Sequence, residues 1–563
     1  MDRLEHLHVL RGALEGAALD LPTPGAPVGE RERSRALRRL GDHLIPRLAD
    51  AEAPLLAVIG GSTGAGKSTV LNSLVGARVS ASSAIRPTTR RPLLVHRAPD
   101  AGWFQAQRIL PGLPRERVEP GASASEPLAG GTPALEVREV GTLPRGMALL
   151  DAPDLDSVVE GNRSLARQLL DAADLWVFVT TAARYADAVP WEVLGQAAQR
   201  DIAVAVVLNR VPTGTMDEVA ADLHRLMTVH GIGDAPLVGI EEQPLVGGLL
   251  PAEAVGPLRA WLEGLGADSH TRAEVARRTL AGSVRQVVAG VHVVEDALGE
   301  HDAALRTAGT HLEEAVEASL ERLAVSTGDG TLLRGEVLAR WQEVIGAADF
   351  TRRLGQGVSH LRDRLTAALR GKPAPVAPVE DALEAGLASL LREEFSRVRE
   401  DAAATWVREP ATVALVRAAA PADPTELDRR SVEITRGWQA ELLVLVRTQG
   451  GSRRTTARVL AVGTNLVGVS LMVVIFASTG GLTGAEVGVA GATAAVAQKL
   501  LEVVFGDQAV RTLATRARAM LLERARTALE EEVSPLRDAL PPASDRAVLA
   551  RARGDVESDW GLR

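Results

Sequence analysis

The sequence predicts an α/β domain with a mostly parallel sheet, followed by an all-α half, an elongated helical bundle that carries a hydrophobic hairpin. Three observations predict it. From Pro54, short apolar runs alternate with helical segments. After residue 268 strand patterns nearly vanish and Ala/Leu/Arg/Glu segments with apolar 3–4 spacing take over. Residues 459–485 carry no charged side chain. The chain has 563 residues, which at roughly 150 residues per domain suggests about three to four domain-sized units. The expected divisions are a helical segment over 1–53, the α/β domain over 54–267, a helical trunk over 268–458, the hairpin over 459–505 and further trunk helices over 506–563.

Composition excludes several classes. Hydrophobic residues make up 46% and charged residues 24%, enough apolar material for real cores. The net charge is −9, with no strongly basic half, so nucleic acid is not an expected partner. Aromatics are 3%, with Tyr185 the single tyrosine, so Leu, Val and Ala must fill the cores, a palette that favours helix packing. There are no cysteines, which excludes disulfides, thiolate metal sites and cysteine nucleophiles. The opening run MDRLEHLHVLRGALEG scatters charge through its length, so no export signal is expected.

Residues 1–19 and 31–49 read as helices separated by the breaker LPTPGAPVGE. The strand candidates are LLAVIG (55–60), LLVH (93–96), MALLDAP (147–153), LWVFVTT (175–181) and IAVAVVLN (202–209). The Pro-, Gly- and Ser-rich segment 111–133 reads as a mobile surface insertion. In the second half, Leu305–Leu323, Leu383–Ala403 and Val510–Leu540 have helical periodicity, with breaks at 371–381 and 409–424.

The sharpest chemical signal is Gly61-Ser62-Thr63-Gly64-Ala65-Gly66-Lys67-Ser68-Thr69, a complete G-x-x-x-x-G-K-[ST] between a strand and a helix. The glycines let backbone N–H groups curl around a β-phosphate, and the following helix aims its positive end at it. Lys67 spans the β and γ oxygens, and the Ser68 hydroxyl serves Mg²⁺. A Mg²⁺-bound triphosphate also needs a carboxylate at the end of a neighbouring strand, which Met147–Asp151 supplies in Asp151. Asp154 and Asp156 read equally well as loop or cap residues and receive no catalytic role. Arg86-Pro-Thr88-Thr89-Arg90-Arg91-Pro92 is a polar loop ahead of a strand, able to bring a threonine to Mg²⁺ and the γ-phosphate.

With these residues in place, the chain resembles the dynamin-like GTPases of bacteria, of the actinobacterial type. GSTGAGKST, TTRRPLLVH, LLDAPDLDS and VVLNRVP stand in the order and approximate spacing of that family's G1 to G4 elements, over roughly residues 54–265. The resemblance implies a P-loop GTPase domain, GTP as substrate with Mg²⁺, and catalysis by Lys67 and Thr89. Thr88 is the alternative to Thr89. It also implies nucleotide binding by residues 61–69 with Asn209 and Arg210, and Mg²⁺ ligation by Ser68, Thr89 and Asp151. Two departures stand out. The D-x-x-G glycine is replaced by Asp154, which adds negative charge beside the γ-phosphate position and bears on hydrolysis; no glutamine follows, the next residue being Leu155. The N-K-x-D element reads Asn209-Arg210-Val211-Pro212, so the base-reading aspartate is missing, with Asp217 a substitute. Residue chemistry alone allows ATP. An ABC-type ATPase fits poorly, since Ala152 follows Asp151 and LAGGT (128–132) precedes no suitable helix.

A helix over 459–479 would measure roughly 31 Å, about one hydrocarbon thickness. Gly480-Gly481 breaks it before a weaker apolar arm, Glu486–Phe505, that contains Lys499 and Glu502. Arg453, Arg454 and Arg458 precede the pair and Arg511, Arg516 and Arg518 follow it, the charge expected on the cytoplasmic side. The expectation is a hairpin that meets an anionic membrane at the inner face of the plasma membrane; the competing reading is a buried trunk core or an oligomer contact. In the family such hairpins sit at the trunk tip, and partners are a second copy or a related dynamin-like chain. His6 and His8 face different sides of a helix, so no zinc site is expected. The loop Arg184-Tyr185-Ala-Asp187 follows a strand at the ligand end of the sheet, as a switch or dimer element or as an ordinary loop.

Overall fold

The computed structural model describes residues 2–50, 53–80, 92–104, 110, 112–118, 134–155, 160–199, 202–266, 269–333, 335–345, 376–418, 423–448, 459, 463–477 and 487–562. Among them, eight strands form one sheet: β1 (Leu55–Gly61), β2 (Leu93–His96), β3 (Arg115–Val118), β4 (Leu135–Glu139), β5 (Met147–Asp151), β6 (Leu175–Thr181), β7 (Ala203–Val211) and β8 (Leu237–Glu241). The spatial order is β3-β4-β2-β5-β1-β6-β7-β8. All pairings are parallel except β2 with β5.

The five expected apolar runs are β1, β2, β5, β6 and β7. They are continuous rather than alternating because both faces of the sheet are covered. On β1, Leu56 and Val58 join one apolar cluster, while Leu55, Ala57 and Ile59 join the cluster on the opposite face. Three strands lie outside the expectation. β3 falls inside the segment read as a surface insertion, which is corrected for its residues 115–118; residues 119–133 lie outside the described residues. Its sequence, RERV, is polar because it lies at the edge of the sheet. On β4, Glu136 and Arg138 break the apolar pattern although both are buried; two apart in a strand, they share a face, and Arg138 Nε donates to Glu136 Oε1 at 2.5 Å. β8 alternates buried and exposed positions over too few residues to stand out.

The structure divides into two compact units, Met1–Leu19 with Pro24–His301 and Ser544–Arg563, and Asp20–Thr23 with Asp302–Ala543. These divisions differ from those expected at 268 and 506. The helix Ser269–Ser326 supplies residues to both units. The helix Arg546–Trp560 belongs with the first, where Leu549, Ala552 and Val556 share a cluster with Leu7, Leu10 and Leu14 of the helix Arg3–Gly16. Arg3 lies 4.8 Å from the Trp560 ring centroid and donates to the Asp559 carbonyl at 2.9 Å. A second helix, Ala26–Arg39, starts earlier than the expected residue 31 because Pro27 suits its first turn. Beyond a π-helical turn at Leu40–Leu44, Arg47 fastens this N-terminal segment to the sheet: its Nη1 donates to the carbonyls of Ala53 (2.7 Å) and Pro54 (3.2 Å), and its Nε lies 3.3 Å from Asp174 Oδ1. Asp174 in turn accepts from the Leu56 N–H at 2.8 Å.

The second unit is helical. Its core holds Trp341, Phe395, Trp406, Trp438 and Phe476, all fully buried. Trp438 Nε1 donates to the Ala517 carbonyl at 2.8 Å, linking the helices Pro424–Thr448 and Asp507–Asp538. The apolar run expected to span or dip into a membrane forms the helix Thr464–Ala477, whose residues 467–476 are all buried in this core. An apolar helix buried on every side reads in sequence like a membrane segment. The second arm is the helix Val487–Phe505, where Lys499 and Glu502 pair at 2.9 Å. Residues 478–486, with Gly480 and Gly481, and Arg453, Arg454 and Arg458 lie outside the described residues. Among the described residues, no helix is long and apolar enough to cross a membrane.

The Arg47–Asp174 pair is almost wholly buried, so removing one partner strands the other charge. Arg47→Ala is expected to destabilise the sheet-bearing unit by about 3–5 kcal/mol, measured as a lowered urea midpoint of that unit's transition. Asp174→Ala in the same background should restore part of the loss.

Candidate functional site

The site is assembled at the carboxyl ends of β1, β5 and β6, where ligands bind in sheets of this kind. Register places the parts: Ile59 of β1 stands opposite Asp151 of β5, and Gly61 stands opposite Val179 of β6. From Gly61 the chain turns through residues 62–66 into the helix Lys67–Val75. Glycine is required at two points of this turn. Gly61 has φ 148°, and a Cβ there would lie 2.0 Å from the Val179 carbonyl oxygen. Gly66 has φ 96°, and a Cβ there would lie 2.3 Å from Asn209 Nδ2. Ala65 is fully buried and Ser62 Oγ has no hydrogen-bond partner among the described residues. The N–H groups of the first helical turn, at Lys67, Ser68 and Thr69, have no acceptor within their own helix and form an anion-binding end.

Lys67 folds back over the loop. Its Nζ donates to the carbonyls of Gly61 and Ser62, each at 3.1 Å, and to the Asp154 carboxylate. The Asp151 carboxylate is buried 2.6 Å from two hydroxyls, Ser68 Oγ and Ser80 Oγ, which both donate to its Oδ2. Its Oδ1 is buried with no hydrogen-bond partner among the described residues. Such an orphaned acceptor beside a P-loop serine hydroxyl fits Mg²⁺ and its waters, since the ion takes only one or two protein ligands and fills its shell with water and phosphate oxygens. Ser68 and Asp151 are therefore together. Thr88 and Thr89, with the rest of 81–91, and Asp156 lie outside the described residues.

Three residues outside the motif reading complete the site. Asn72, fully buried on the P-loop helix, accepts from the N–H groups of Val79 (2.9 Å) and Ser80 (2.8 Å) and donates to the Ser80 carbonyl at 2.8 Å. It thereby fixes the stem from which the segment 81–91 departs. Ser80 itself shares Asp151 with Ser68. Arg184, on the loop after β6, donates to the Thr63 carbonyl at 3.3 Å, so this loop reaches the phosphate turn. Its neighbour Tyr185 donates to Asp222 Oδ2 at 2.6 Å, and that carboxylate raises the phenol's pKa above its ordinary value. Sequence spacing carries no signal for Asn72 or Ser80; the position of Arg184 after a strand was the one available cue.

At the end of β7, Asn209 is buried and donates to the Ala65 carbonyl at 2.9 Å, bracing the phosphate loop from the side. Arg210 is exposed at φ 55°, on a register shift between β7 and β8. Pro212 caps a turn to Thr215, and Asp217 is exposed in the first turn of the helix Met216–Val229.

Residues 56–211 match the Dynamin family, from the second residue of β1 to the last of β7. No curated protein matches the chain. Solved structures that resemble it include two of an oligomerised bacterial dynamin pair, reported as providing a mechanism for the long-range sensing and tethering of membranes. Each is 11% identical, at TM-scores of 0.37 and 0.38, covering 94% and 99% of this chain and 91% and 95% of theirs. A third is the LeoA bacterial dynamin GTPase from ETEC, 12% identical at a TM-score of 0.24, covering 96% of this chain and 98% of that one.

Gly66 carries both a left-handed backbone and a close approach to Asn209. Gly66→Ala should cost about 1–3 kcal/mol or more from backbone strain, read in urea unfolding of the sheet-bearing unit. Asn209→Ala in the same chain should relieve the clash and recover only part; full recovery would mean that the backbone carries no strain.

Proposed function

We propose, from the match of residues 56–211 to the Dynamin family, that the chain is a dynamin-like GTPase that binds and hydrolyses GTP with Mg²⁺ and couples that cycle to membrane association or remodelling. The observation that carries this reading is the convergence of Lys67, Ser68 and Asp151 on one phosphate loop between β1 and its helix. Residues 61–69 hold the phosphates, with Asn209 bracing the loop and Arg210 free to lay its stem along the base. Ser68, Thr89 and Asp151 hold Mg²⁺, which when bound neutralises charge on the β and γ phosphates. Lys67 and the loop N–H groups stabilise charge on the β–γ bridge, and Thr89 orients the attacking water in line. With Pro212 in place of the base-reading aspartate, GTP rather than ATP is assigned on family grounds.

The cycle acts through the segments that follow Ser80 and Asp151, residues that Ser68 joins, since both serine hydroxyls donate to the Asp151 carboxylate. Their ordering shifts the helical trunk and so alters self-assembly, as a homodimer or with a related chain, and engagement of an anionic membrane at the inner face of the plasma membrane. The charge-free run 459–485, flanked by arginines in the sequence, supports the membrane part, for which the helix Thr464–Ala477 has to leave the core that buries it. A second reading is a nucleotide-gated membrane scaffold with little or no hydrolysis. It is favoured by the Asp154 carboxylate on Lys67, an anion where a phosphate oxygen belongs.

The test is binding and turnover of GTP and ATP side by side, with Mg²⁺, for wild type and Lys67→Ala, with and without anionic liposomes. Preferred GTP turnover, stimulated by liposomes and lowered about 100-fold or more by Lys67→Ala, supports the GTPase. Binding without turnover supports the scaffold, and a preference for ATP overturns the assignment of GTP.

A further inference from the structure

Lysine has three N–H donors and no acceptor. In Lys67 each donor has an acceptor: the Gly61 carbonyl, the Ser62 carbonyl and the Asp154 carboxylate. The first two belong to the loop itself, so the third is the position from which the ammonium reaches outward. A carboxylate there offers the same chemistry as a phosphate oxygen, a single anionic acceptor on an ammonium.

Asp154 has little room to withdraw its backbone. On one side the Ala152 N–H donates to the Ile59 carbonyl at 3.1 Å; on the other the Leu155 N–H reaches the Gly61 carbonyl at 3.4 Å, and the Leu155 side chain is buried in the sheet's core. Asp154 is therefore flanked by two backbone ties to β1, at the residue two before it and at the residue after it. Its side chain is 30% exposed, while that of Lys67 is 4% exposed. The carboxylate can rotate toward water, but it stays beside the loop.

We propose that Asp154 selects for the number of phosphates: its carboxylate holds the place on Lys67 that a terminal phosphate requires, so the resting chain binds nucleoside diphosphate more tightly than triphosphate. A β-phosphate lies in the cradle of loop and helix N–H groups, takes Lys67 in place of one of the two loop carbonyls, and leaves the Lys67–Asp154 pair intact. A γ-phosphate must displace the carboxylate and then sit next to it, and two anions in a partly buried site repel strongly. Triphosphate loading thus requires Asp154 to turn outward, and whatever pulls it outward, such as a cationic side chain of a second copy, loads the site. This inference deepens the nucleotide-binding reading above and rests on it.

The test is a titration of the full chain, with Mg²⁺ at fixed salt, by fluorescent GDP and a fluorescent non-hydrolysable GTP analogue. Wild type, Asp154→Asn and Asp154→Gly are compared. The asparagine keeps the shape of the side chain and removes its charge. Wild type should bind the diphosphate about tenfold or more tightly than the triphosphate analogue. Asp154→Asn should bring the two within about threefold by tightening the triphosphate alone, and Asp154→Gly should do the same if the asparagine variant folds poorly. Intact diphosphate binding with a ratio unchanged by both variants overturns the inference and leaves the nucleotide-binding reading standing. Absence of binding of either nucleotide by wild type and both variants overturns that reading and the inference with it.

Discussion

The placement of β1 between β5 and β6 governs the site. A parallel strand with neighbours on both sides cannot slip by one residue without turning its whole apolar set to the other face, and here both faces are packed. That fixed register puts Gly61 against Val179 and Ile59 against Asp151. The turn that follows is thereby forced to start under a carbonyl that leaves no room for a side chain, and to run past the carboxylate of the next strand. Lys67, Ser68 and Asp151 meet because three strand ends meet.

The electrostatic character of the site follows from that arrangement. A helix start and a lysine make a strongly positive hollow, and in this chain two carboxylates partly fill it. Asp151 is held by hydroxyls and keeps one carboxylate oxygen without a hydrogen-bond partner among the described residues. Asp154 is held by the ammonium itself. The same loop, 151–155, thus carries two carboxylates three residues apart, one held by hydroxyls with an open oxygen and one paired with the ammonium.

The five central strands and the phosphate loop were legible because each has an unambiguous signature: a continuous apolar run, or a motif whose flanks must be strand and helix. β3 and β4 were not, because their charged residues satisfy one another or lie at the sheet edge, where an apolar pattern is not demanded. Asn72 and Ser80 were invisible for another reason. Asn72's role rests on hydrogen bonds to backbone groups several residues away, and Ser80's on a carboxylate of a distant strand; no spacing of residue types encodes either. The helix Thr464–Ala477 reveals the opposite limit. A core helix surrounded by other helices and a helix surrounded by lipid face the same requirement, apolar side chains all round, and composition alone does not separate them; packing does. The grouping of Arg546–Trp560 with the first helix of the chain is a long-range pairing with no local signal.

The packing of that apolar helix has a further consequence. Its Phe476 ring lies 5.8 Å from the indole of Trp438, which is fully buried and anchored through its N–H to the Ala517 carbonyl. Close to the same helix–helix contact, Gly468 comes so near Leu443 that a Cβ would lie 2.9 Å from its Cδ2. Any departure of the apolar helix from this core therefore opens an indole to water, and the emission of Trp438, once the other tryptophans are replaced, becomes an optical gauge of whether the segment is sheltered by protein or has left it.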